Sequence, residues 1–293
     1  MPKDAPGHKG AVRGSKIDMF HDFVTQGPVR VMGIVNVTPD SFSDGGHFYN
    51  ADNAIAQGLA LLEAGADILD IGGESTRPGA KSVDIEEEIA RVVPVIEGLC
   101  EHAPWISIDT RNAATMQAAL IVGANIINDV SALTHDPKSV CLVKEAETPV
   151  ILMHAQGSPK SMQHNPNYNN VVEDVLVYLE GRISYCETHG IDKRGVVIDP
   201  GIGFGKTLEH NLSILQNLNI FSELSTPVIL GASRKSFIGD VTGENDPEKR
   251  LGGSLASALI GVEKGARIVR VHDVEMTVQA LKTHQAISEA GSA

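Results

Sequence analysis

The chain has 293 residues, 42% of them hydrophobic and 21% charged, a composition typical of a globular protein with a sizeable core. Its 24 Lys and Arg residues against 37 Asp and Glu residues give a net charge of −13, which argues against a general nucleic-acid binder. No apolar run reaches the ~18 residues of a membrane span, and the N-terminus lacks the pattern of a secretory signal. The three cysteines form no CxxC pair, so we expect a cytoplasmic protein with neither disulfides nor a cysteine zinc site.

Short runs rich in Val and Ile alternate along the chain with longer segments of helical period. The sequence predicts strands at residues 30–37, 66–71, 105–109, 125–129, 150–153, 195–199, 227–231 and 268–271. It predicts helices at residues 51–63, 83–99, 112–121, 138–146, 170–189, 208–218, 247–263 and 274–287. Pro149 and Pro227 support two of the boundaries, because proline ends a helix shortly before the next strand.

The predicted strands are continuously apolar, a pattern typical of parallel strands that are covered on both faces. Eight strand–helix units predict an α/β fold, a single-domain (β/α)8 TIM barrel, with an open doubly wound sheet as the alternative. We expect residues 28–293 to form this barrel domain. Residues 1–27 are predicted to be an N-terminal extension that either plugs the bottom of the barrel or is mobile.

Polar residues follow nearly every predicted strand, and the active sites of such barrels lie at the C-terminal ends of the strands. The candidates for one site are Asn36, Asp109, Asn128, His154, Asp199, Lys235, Arg270 and His272. Asp129, Asp273 and Thr110 are better interpreted as helix caps, since these residue types satisfy free backbone N–H groups. The three cations near the last two strands favour a phosphate site, which such barrels often place there.

Residues 199–207, Asp-Pro-Gly-Ile-Gly-Phe-Gly-Lys-Thr, superficially resemble a nucleotide-binding loop. Pro200 replaces the first glycine of a Walker A motif, and the glycine spacing does not fit a dinucleotide-binding motif. We interpret the segment as a tight loop where missing Cβ atoms let the backbone approach a flat ligand. Two further glycine-rich loops, residues 38–50 and 72–82, are candidates for lids that close on a substrate.

No GxSxG, HExxH or paired Cys–His pattern indicates covalent catalysis, and His154 is either a base or a rim histidine with a structural partner. Recognition by Asp and Asn requires N–H donors on the ligand, and recognition by Arg, Lys and His requires an anion. The residues therefore predict a ligand that combines a heterocycle with a phosphate or a diphosphate.

Seven segments resemble the motifs of the dihydropteroate synthase family and occur in that family's order. They are residues 36–46, 73–79, 108–110, 127–129, 199–206, 233–236 and 270–273. The resemblance implies a pterin-binding transferase of tetrahydrofolate biosynthesis, which joins (7,8-dihydropterin-6-yl)methyl diphosphate to 4-aminobenzoate by a dissociative substitution. The products would be 7,8-dihydropteroate and diphosphate. It also implies a homodimer that sulfonamides inhibit. The negative net charge and the lack of a long apolar run predict that the protein binds neither nucleic acid nor membrane.

The resemblance also implies roles for individual residues. The pterin diphosphate would be bound by Thr76, Asp109, Asn128, Asp199, Lys235, Arg270, Val271 and His272. The 4-aminobenzoate would be bound by Thr76, Arg77, Pro78, Phe204, Lys235 and Ser236. The catalytic set would be Asn36, Asp109, Asp199, Lys235, Arg270 and His272, with Mg2+ beside Asn36. Ala155 departs from the family, which often has Met there, and this makes a role for His154 doubtful.

Three rival functions use the same kind of barrel. A methyltetrahydrofolate-dependent corrinoid methyltransferase would share the pterin pocket, but the two glycine-rich loops argue against it. A non-catalytic paralogue that binds a pterin is disfavoured because its loops keep Asp44, Thr76, Arg77 and Pro78. An unrelated sugar-phosphate enzyme is disfavoured by the carboxylate and amide groups predicted to surround a flat ligand.

Overall fold

Eight parallel strands close into one barrel in a computed structural model of the chain, which describes residues 14–38, 47–74, 83–157 and 166–290. Each strand pairs with the next along the chain, and the last pairs with the first. The predicted (β/α)8 TIM barrel is confirmed, and the open doubly wound alternative is wrong.

The strands lie within two residues of their predicted positions. They are β1 (Arg30–Asn36), β2 (Ile68–Gly72), β3 (Ile106–Asp109), β4 (Ile126–Asp129), β5 (Val150–Met153), β6 (Val196–Asp199), β7 (Val228–Leu230) and β8 (Ala266–Val271). This agreement is expected, because a strand buried on both faces is apolar over its whole length and is easy to delimit.

The helices agree less closely with the prediction. They are α1 (Lys16–Thr25), α2 (His47–Glu63), α3 (Ile85–Leu99), α4 (Ala113–Ile121), α5 (Ser139–Ala146), α6 (Val171–Thr188), α7 (Leu208–Gln216), α8 (Ser236–Thr242), α9 (Leu251–Glu263) and α10 (Val274–Ala290). Helices α1 and α8 are not among the predicted helices. The segment predicted as one helix at residues 247–263 is a 3-10 turn, Pro247–Lys249, followed by α9. None of the helices in these described ranges is both long and apolar enough to cross a bilayer.

Alternation along the strands divides the core into two layers. Outward residues such as Ile71 and Ile108 pack with Val92 and Ile96 of α3, in the cluster between the strands and the surrounding helices. Inward residues at the start of the strands form a second buried cluster, which includes Met32, Ile68, Ile126, Ile151, Val197, Ile229 and Ile268. Because side chains alternate along a strand, residues two and four positions after these also point into the barrel.

Helix α1 closes the bottom of the barrel. Its side chains Phe20 and Val24 are buried in the inward cluster, and the Phe20 ring meets Trp105 edge-on at a centroid distance of 5.1 Å. Ser15 caps its first turn, and Arg267 donates to the carbonyl oxygen of Val24 over 3.0 Å. Part of the predicted extension is thus a plug at the bottom of the barrel, whereas the domain boundary after residue 27 stays a prediction.

Replacing Phe20 with alanine is expected to destabilise the folded state by ~3–5 kcal/mol, because it empties part of the cluster that closes the barrel. Unfolding in urea measures the change. Met19, half-exposed on the same helix, provides the matched control, and Met19→Ala is expected to lie within ~0.5 kcal/mol of wild type. Equal unfolding free energies for the two variants would show that α1 adds nothing to the core.

Candidate active site

The strand register brings polar residues together at the C-terminal rim of the barrel. Asn36 lies opposite Gly72, Gly72 opposite Asp109, and Asp109 opposite Asn128 in successive strands. On β8, the other neighbour of β1, Arg270 lies two residues after the inward Ile268, so its side chain also points into the barrel. The predicted clustering of these side chains at one end of the barrel is therefore observed.

Arg270 forms the centre of the site, between two carboxylates. Its Nε lies 2.6 Å from Oδ2 of Asp70, and its Nη2 lies 2.8 Å from Oδ2 of Asp109. Asp70 also accepts from the side-chain amide of Asn128, over 3.2 and 3.3 Å. This single buried carboxylate therefore orients both Arg270 and Asn128.

Asp70 is not among the predicted site residues, because it lies inside β2 rather than at its end. It stands between Leu69 and Ile71 in a run that is otherwise apolar, and its side chain is fully buried. A carboxylate inside a strand buried on both faces is costly unless it is paired. An Asp inside an otherwise apolar strand is therefore the sequence signal that could have identified Asp70.

Two carboxylates share one guanidinium, and this sets the charge of the site. Burial raises the pKa of Asp109 to about 7, although Arg270 opposes the rise and Asp70 adds to it. Burial alone would lower the pKa of Arg270, but Asp70 and Asp109 more than compensate and raise it above its ordinary value. Arg270 is therefore a permanent cation, and Asp109 can exist in either protonation state near neutrality.

One carboxylate oxygen in this group has no partner. Oδ1 of Asp109 is buried and forms no hydrogen bond within the described part of the chain. Leaving such an atom unsatisfied costs ~1–3 kcal/mol, so it marks a position where a ligand donor would be favourable. Asp109 thus pairs one oxygen with Arg270 and leaves the other available to a ligand donor.

Asp199 provides a second buried carboxylate, at the end of β6. Its Oδ1 accepts from the backbone N–H of Gly201 over 2.7 Å. Burial raises the pKa of Asp199, while the Gly201 N–H and the charges of Lys235 and Arg270 work against the rise. The charges of Lys235, Arg270 and Lys206 therefore all favour the ionised form of this carboxylate.

Lys235 and Phe204 meet above the same side of the barrel. The Nζ of Lys235 lies 4.1 Å from the centroid of the Phe204 ring, which is a cation–π contact. Lys235 precedes the first residue of α8, the exposed Ser236, so these residues share one stretch of the rim. Three of the residues predicted to surround the second ligand are thus neighbours here.

The glycines after β6 are required for a different reason from the one predicted. Gly201 and Gly205 have φ of +70° and +63°, in the left-handed region that favours glycine. A Cβ at Gly201 would overlap with the carbonyl oxygen of His154, and one at Gly205 with that of Gln156. Close packing on the loop after β5, rather than the approach of a flat ligand, thus accounts for these two positions.

Val271 and His272 follow Arg270 along the chain but differ in where their side chains lie. The Val271 side chain, predicted to bind the pterin diphosphate, packs with Val31 on the outer face of β8, because the neighbouring Arg270 points into the barrel; it does not line the site. Nδ1 of His272 lies 3.0 Å from Oγ of Ser233. The backbone N–H of His272 also donates to that oxygen, over 3.3 Å. Ser233 therefore holds His272 against the loop after β7.

The residues interpreted as helix caps have other partners. Asp273 accepts from Arg234 over 2.7 and 3.0 Å, and Thr110 donates to the buried Glu88 over 2.7 Å. Asp129 caps a turn, where it accepts from the N–H groups of Ser131 and Leu133. Their roles are structural, as expected, but tertiary contacts and a turn replace the helix caps.

Three candidate residues lie outside the described ranges. These are Thr76, Arg77 and Pro78, and most of both predicted lid loops falls there as well, at residues 39–46 and 75–82. The part of the predicted loop that is described includes Glu74, which pairs with Arg111 over 3.2 Å. The roles of the three residues stay predictions.

The donor set limits how a metal could bind. The described ranges contain no group of three His, Cys, Asp or Glu side chains suited to hold a metal ion. Asn36, half-buried at the end of β1, offers one amide oxygen at the rim. Mg2+ commonly takes only one or two protein ligands and completes its shell with waters and substrate phosphates, so the residues fit a metal that binds together with a diphosphate.

Comparison with known proteins agrees with this geometry. The family model described as pterin binding enzyme matches residues 32–272. Dihydropteroate synthase of Haemophilus influenzae is 48% identical over 262 residues, which cover 89% of this chain and 94% of that protein. The chain belongs to the dihydropteroate synthase family.

Solved structures of the dihydropteroate synthase family share the fold closely. The Xanthomonas albilineans synthase with 4-aminobenzoic acid has a TM-score of 0.85 at 49% identity, covering 89% of this chain and 93% of that one. The Yersinia pestis synthase in a sulfonamide drug complex has a TM-score of 0.84 at 43% identity, covering 89% and 95%. Family membership over this length disfavours the corrinoid methyltransferase and sugar-phosphate alternatives.

Proposed function

We propose that this chain condenses (7,8-dihydropterin-6-yl)methyl diphosphate with 4-aminobenzoate to give 7,8-dihydropteroate and diphosphate. The observation that carries the proposal is the buried Asp70–Arg270–Asp109 group, with one oxygen of Asp109 left for a ligand. The named synthases that match the chain support the same reaction.

The pterin would bind against acceptors inside the barrel. Its ring carries N–H donors, and Asp109 and Asp199 present buried carboxylates near the centre of the mouth. Asn128 is held by Asp70 and can present its amide oxygen, because its nitrogen already donates to that carboxylate.

The diphosphate would leave toward the cations of the rim. Arg270 and His272 would bind its oxygens and stabilise the negative charge that develops as the C–O bond breaks. Mg2+, bound with the diphosphate beside Asn36, would neutralise further charge on the leaving group. The orientation of Arg270 is fixed before binding by its two carboxylates, so little reorganisation is needed.

The substitution would be dissociative. An electron-rich dihydropterin can support positive charge on its methylene carbon, and an ionised Asp109 or Asp199 would stabilise that charge through the ring. The neutral amino group of 4-aminobenzoate would form the new C–N bond at the methylene carbon as the C–O bond to the diphosphate breaks, and the departing diphosphate or water would take the proton that the amine loses. This step requires no activated nucleophile from the protein. Phe204, Lys235 and Ser236 would position the aminobenzoate, together with Thr76, Arg77 and Pro78.

We further propose a cytoplasmic homodimer that sulfonamides inhibit. The Yersinia pestis relative in complex with a sulfonamide drug supports the inhibition.

An apolar groove between α9 and α10, lined by Leu255, Leu259, Met276 and Ile287, is a candidate for the dimer surface. Sedimentation of wild type and of an Ile287→Asp variant would test it, with a shift to monomer expected in the variant.

The reaction is tested by measuring diphosphate release from both substrates in the presence of Mg2+. We expect release to require 4-aminobenzoate and to match the dihydropteroate formed. A paralogue that only binds a pterin would release no diphosphate. Release that proceeds at the same rate without 4-aminobenzoate would contradict the proposed condensation.

A further inference from the structure

Lys206 is a buried cation that the mechanism above does not use. It lies at the end of the loop after β6, and only 3% of it is exposed. Its Nζ is 2.9 Å from the carbonyl oxygen of Gly201, 3.1 Å from that of Phe204 and 2.9 Å from Nδ1 of His154. A buried lysine needs partners for its polar head, and these three contacts provide them, together with a longer one of 3.4 Å to the carbonyl oxygen of His154.

The protonation states of Lys206 and His154 are compatible with these contacts. Burial, with a contribution from Lys206, lowers the pKa of His154 to about 3, so its ring is neutral and can accept at Nδ1. Burial lowers the pKa of Lys206 to about 7, although Asp199 opposes this. A neutral amine would keep the same three contacts by donating to both carbonyls and accepting from Nδ1–H. His154 is therefore a structural partner rather than a general base.

The three contacts join two loops at the rim. Gly201 and Phe204 belong to the loop after β6, and His154 directly follows β5. On the other side of the same loop, the Tyr168 hydroxyl donates to the carbonyl oxygen of Gly205 over 2.7 Å. The loop that carries Phe204 is thus anchored at both ends to the segment after β5.

We propose that Lys206 is a positioning residue for the second substrate, because it fixes the Gly201–Phe204 backbone and thereby the Phe204 ring beneath Lys235. This inference rests on the proposed function, in which Phe204 and Lys235 bind the aminobenzoate. Lys206 acts through the loop and does not touch the substrate. For stability alone, an apolar side chain of similar length would often serve as well as a buried cation.

The test is a double-mutant cycle of Lys206→Met and Phe204→Leu, with kcat, both KM values and thermal unfolding measured for each variant. Lys206→Met is expected to raise the KM for 4-aminobenzoate ~5–30-fold, because it removes the hydrogen bonds of Nζ that hold the loop. In the Phe204→Leu background the same change should alter that KM less than ~2-fold, since the ring that Lys206 positions is gone. Lys138→Met, at an exposed lysine, is the matched control and should leave both KM values unchanged.

A purely structural lysine would give a different result. It would lower the unfolding temperature equally in both backgrounds and change the KM for 4-aminobenzoate either not at all or by the same factor in each. Either pattern would overturn the proposal. If Lys206→Met does not fold, Tyr168→Phe removes the other anchor of the loop, and an unchanged KM for 4-aminobenzoate there would also overturn it.

The wild-type enzyme in the same assay separates the two proposals. An active wild type whose variants keep their KM values contradicts only the role of Lys206. A wild type that forms no dihydropteroate contradicts the proposed function and, with it, the role of Lys206.

Discussion

Replacing Arg270 with methionine is expected to destabilise the folded protein by ~3–5 kcal/mol, because it leaves two buried carboxylates without their cation. Asp70 is fully buried and Asp109 nearly so, and Arg270 is the ion-pair partner of both. Synthase activity should fall by at least ~100-fold, since the same guanidinium is proposed to bind the departing diphosphate. Urea unfolding and the diphosphate-release assay measure the two effects.

The pH dependence of the stability of Arg270→Met distinguishes the loss of the Arg270 charge from the loss of its packing. Without Arg270, the pKa of Asp109 should rise further, so the variant should lose least stability at low pH, where the carboxyl group is neutral. In wild type, the pKa of Asp109 is already raised from 3.8 to about 7. The folded state therefore binds more protons than the unfolded chain between these values, and the contribution of Asp109 to stability decreases as pH rises through that window.

Arg270→Lys is the matched control. Lysine keeps the positive charge but lacks the planar fork that reaches two carboxylates at once. It should recover much of the stability and little of the activity. If Arg270→Met were as stable as wild type at pH 8, the two carboxylates would not depend on this cation, and the interpretation of the central group would be wrong.

The residues at the rim of the barrel could be predicted from the sequence because the strands are continuously apolar and their ends are easy to identify. Three short apolar runs each end in a polar residue, namely Asp109, Asn128 and Asp199. Because all the parallel strands of a closed barrel end at the same rim, these residues must lie at that rim. Asp70 could not be found in this way, because its importance comes from two partners 58 and 200 residues away in the chain. Lys206 was visible in a recognised motif, but its partners are backbone carbonyl oxygens and the ring of a histidine on another loop, and a sequence does not locate these.

The helix that closes the bottom of the barrel could not be predicted from the sequence for a different reason. Helix α1 has ten residues, and its burial depends on the shape of the cluster formed by the starts of the strands. Short amphipathic segments of this kind are common in sequences and are stabilised mainly by the surface they meet. The burial of Phe20 and Val24 can be explained only from the closed barrel, which provides the surface they pack against.

Asp199→Ala is expected to weaken binding of the pterin diphosphate by ~10–150-fold, the equivalent of a charge-assisted hydrogen bond of ~1.5–3 kcal/mol. Calorimetric titration without 4-aminobenzoate isolates this step from the second substrate. Stability should be kept or improved, because burial raises the pKa of Asp199 and its ionised form is unfavourable in the empty site. Weaker binding by a more stable protein cannot result from misfolding.

Asp192→Ala is the control for this prediction, since Asp192 precedes β6 at the opposite end of the same strand and pairs with Arg194. Its pterin affinity should equal that of wild type. Binding by Asp199→Ala that matches this control would remove Asp199 from the pterin pocket. Weakened binding in both variants would instead indicate a change in the barrel as a whole, because the two carboxylates share only the strand between them.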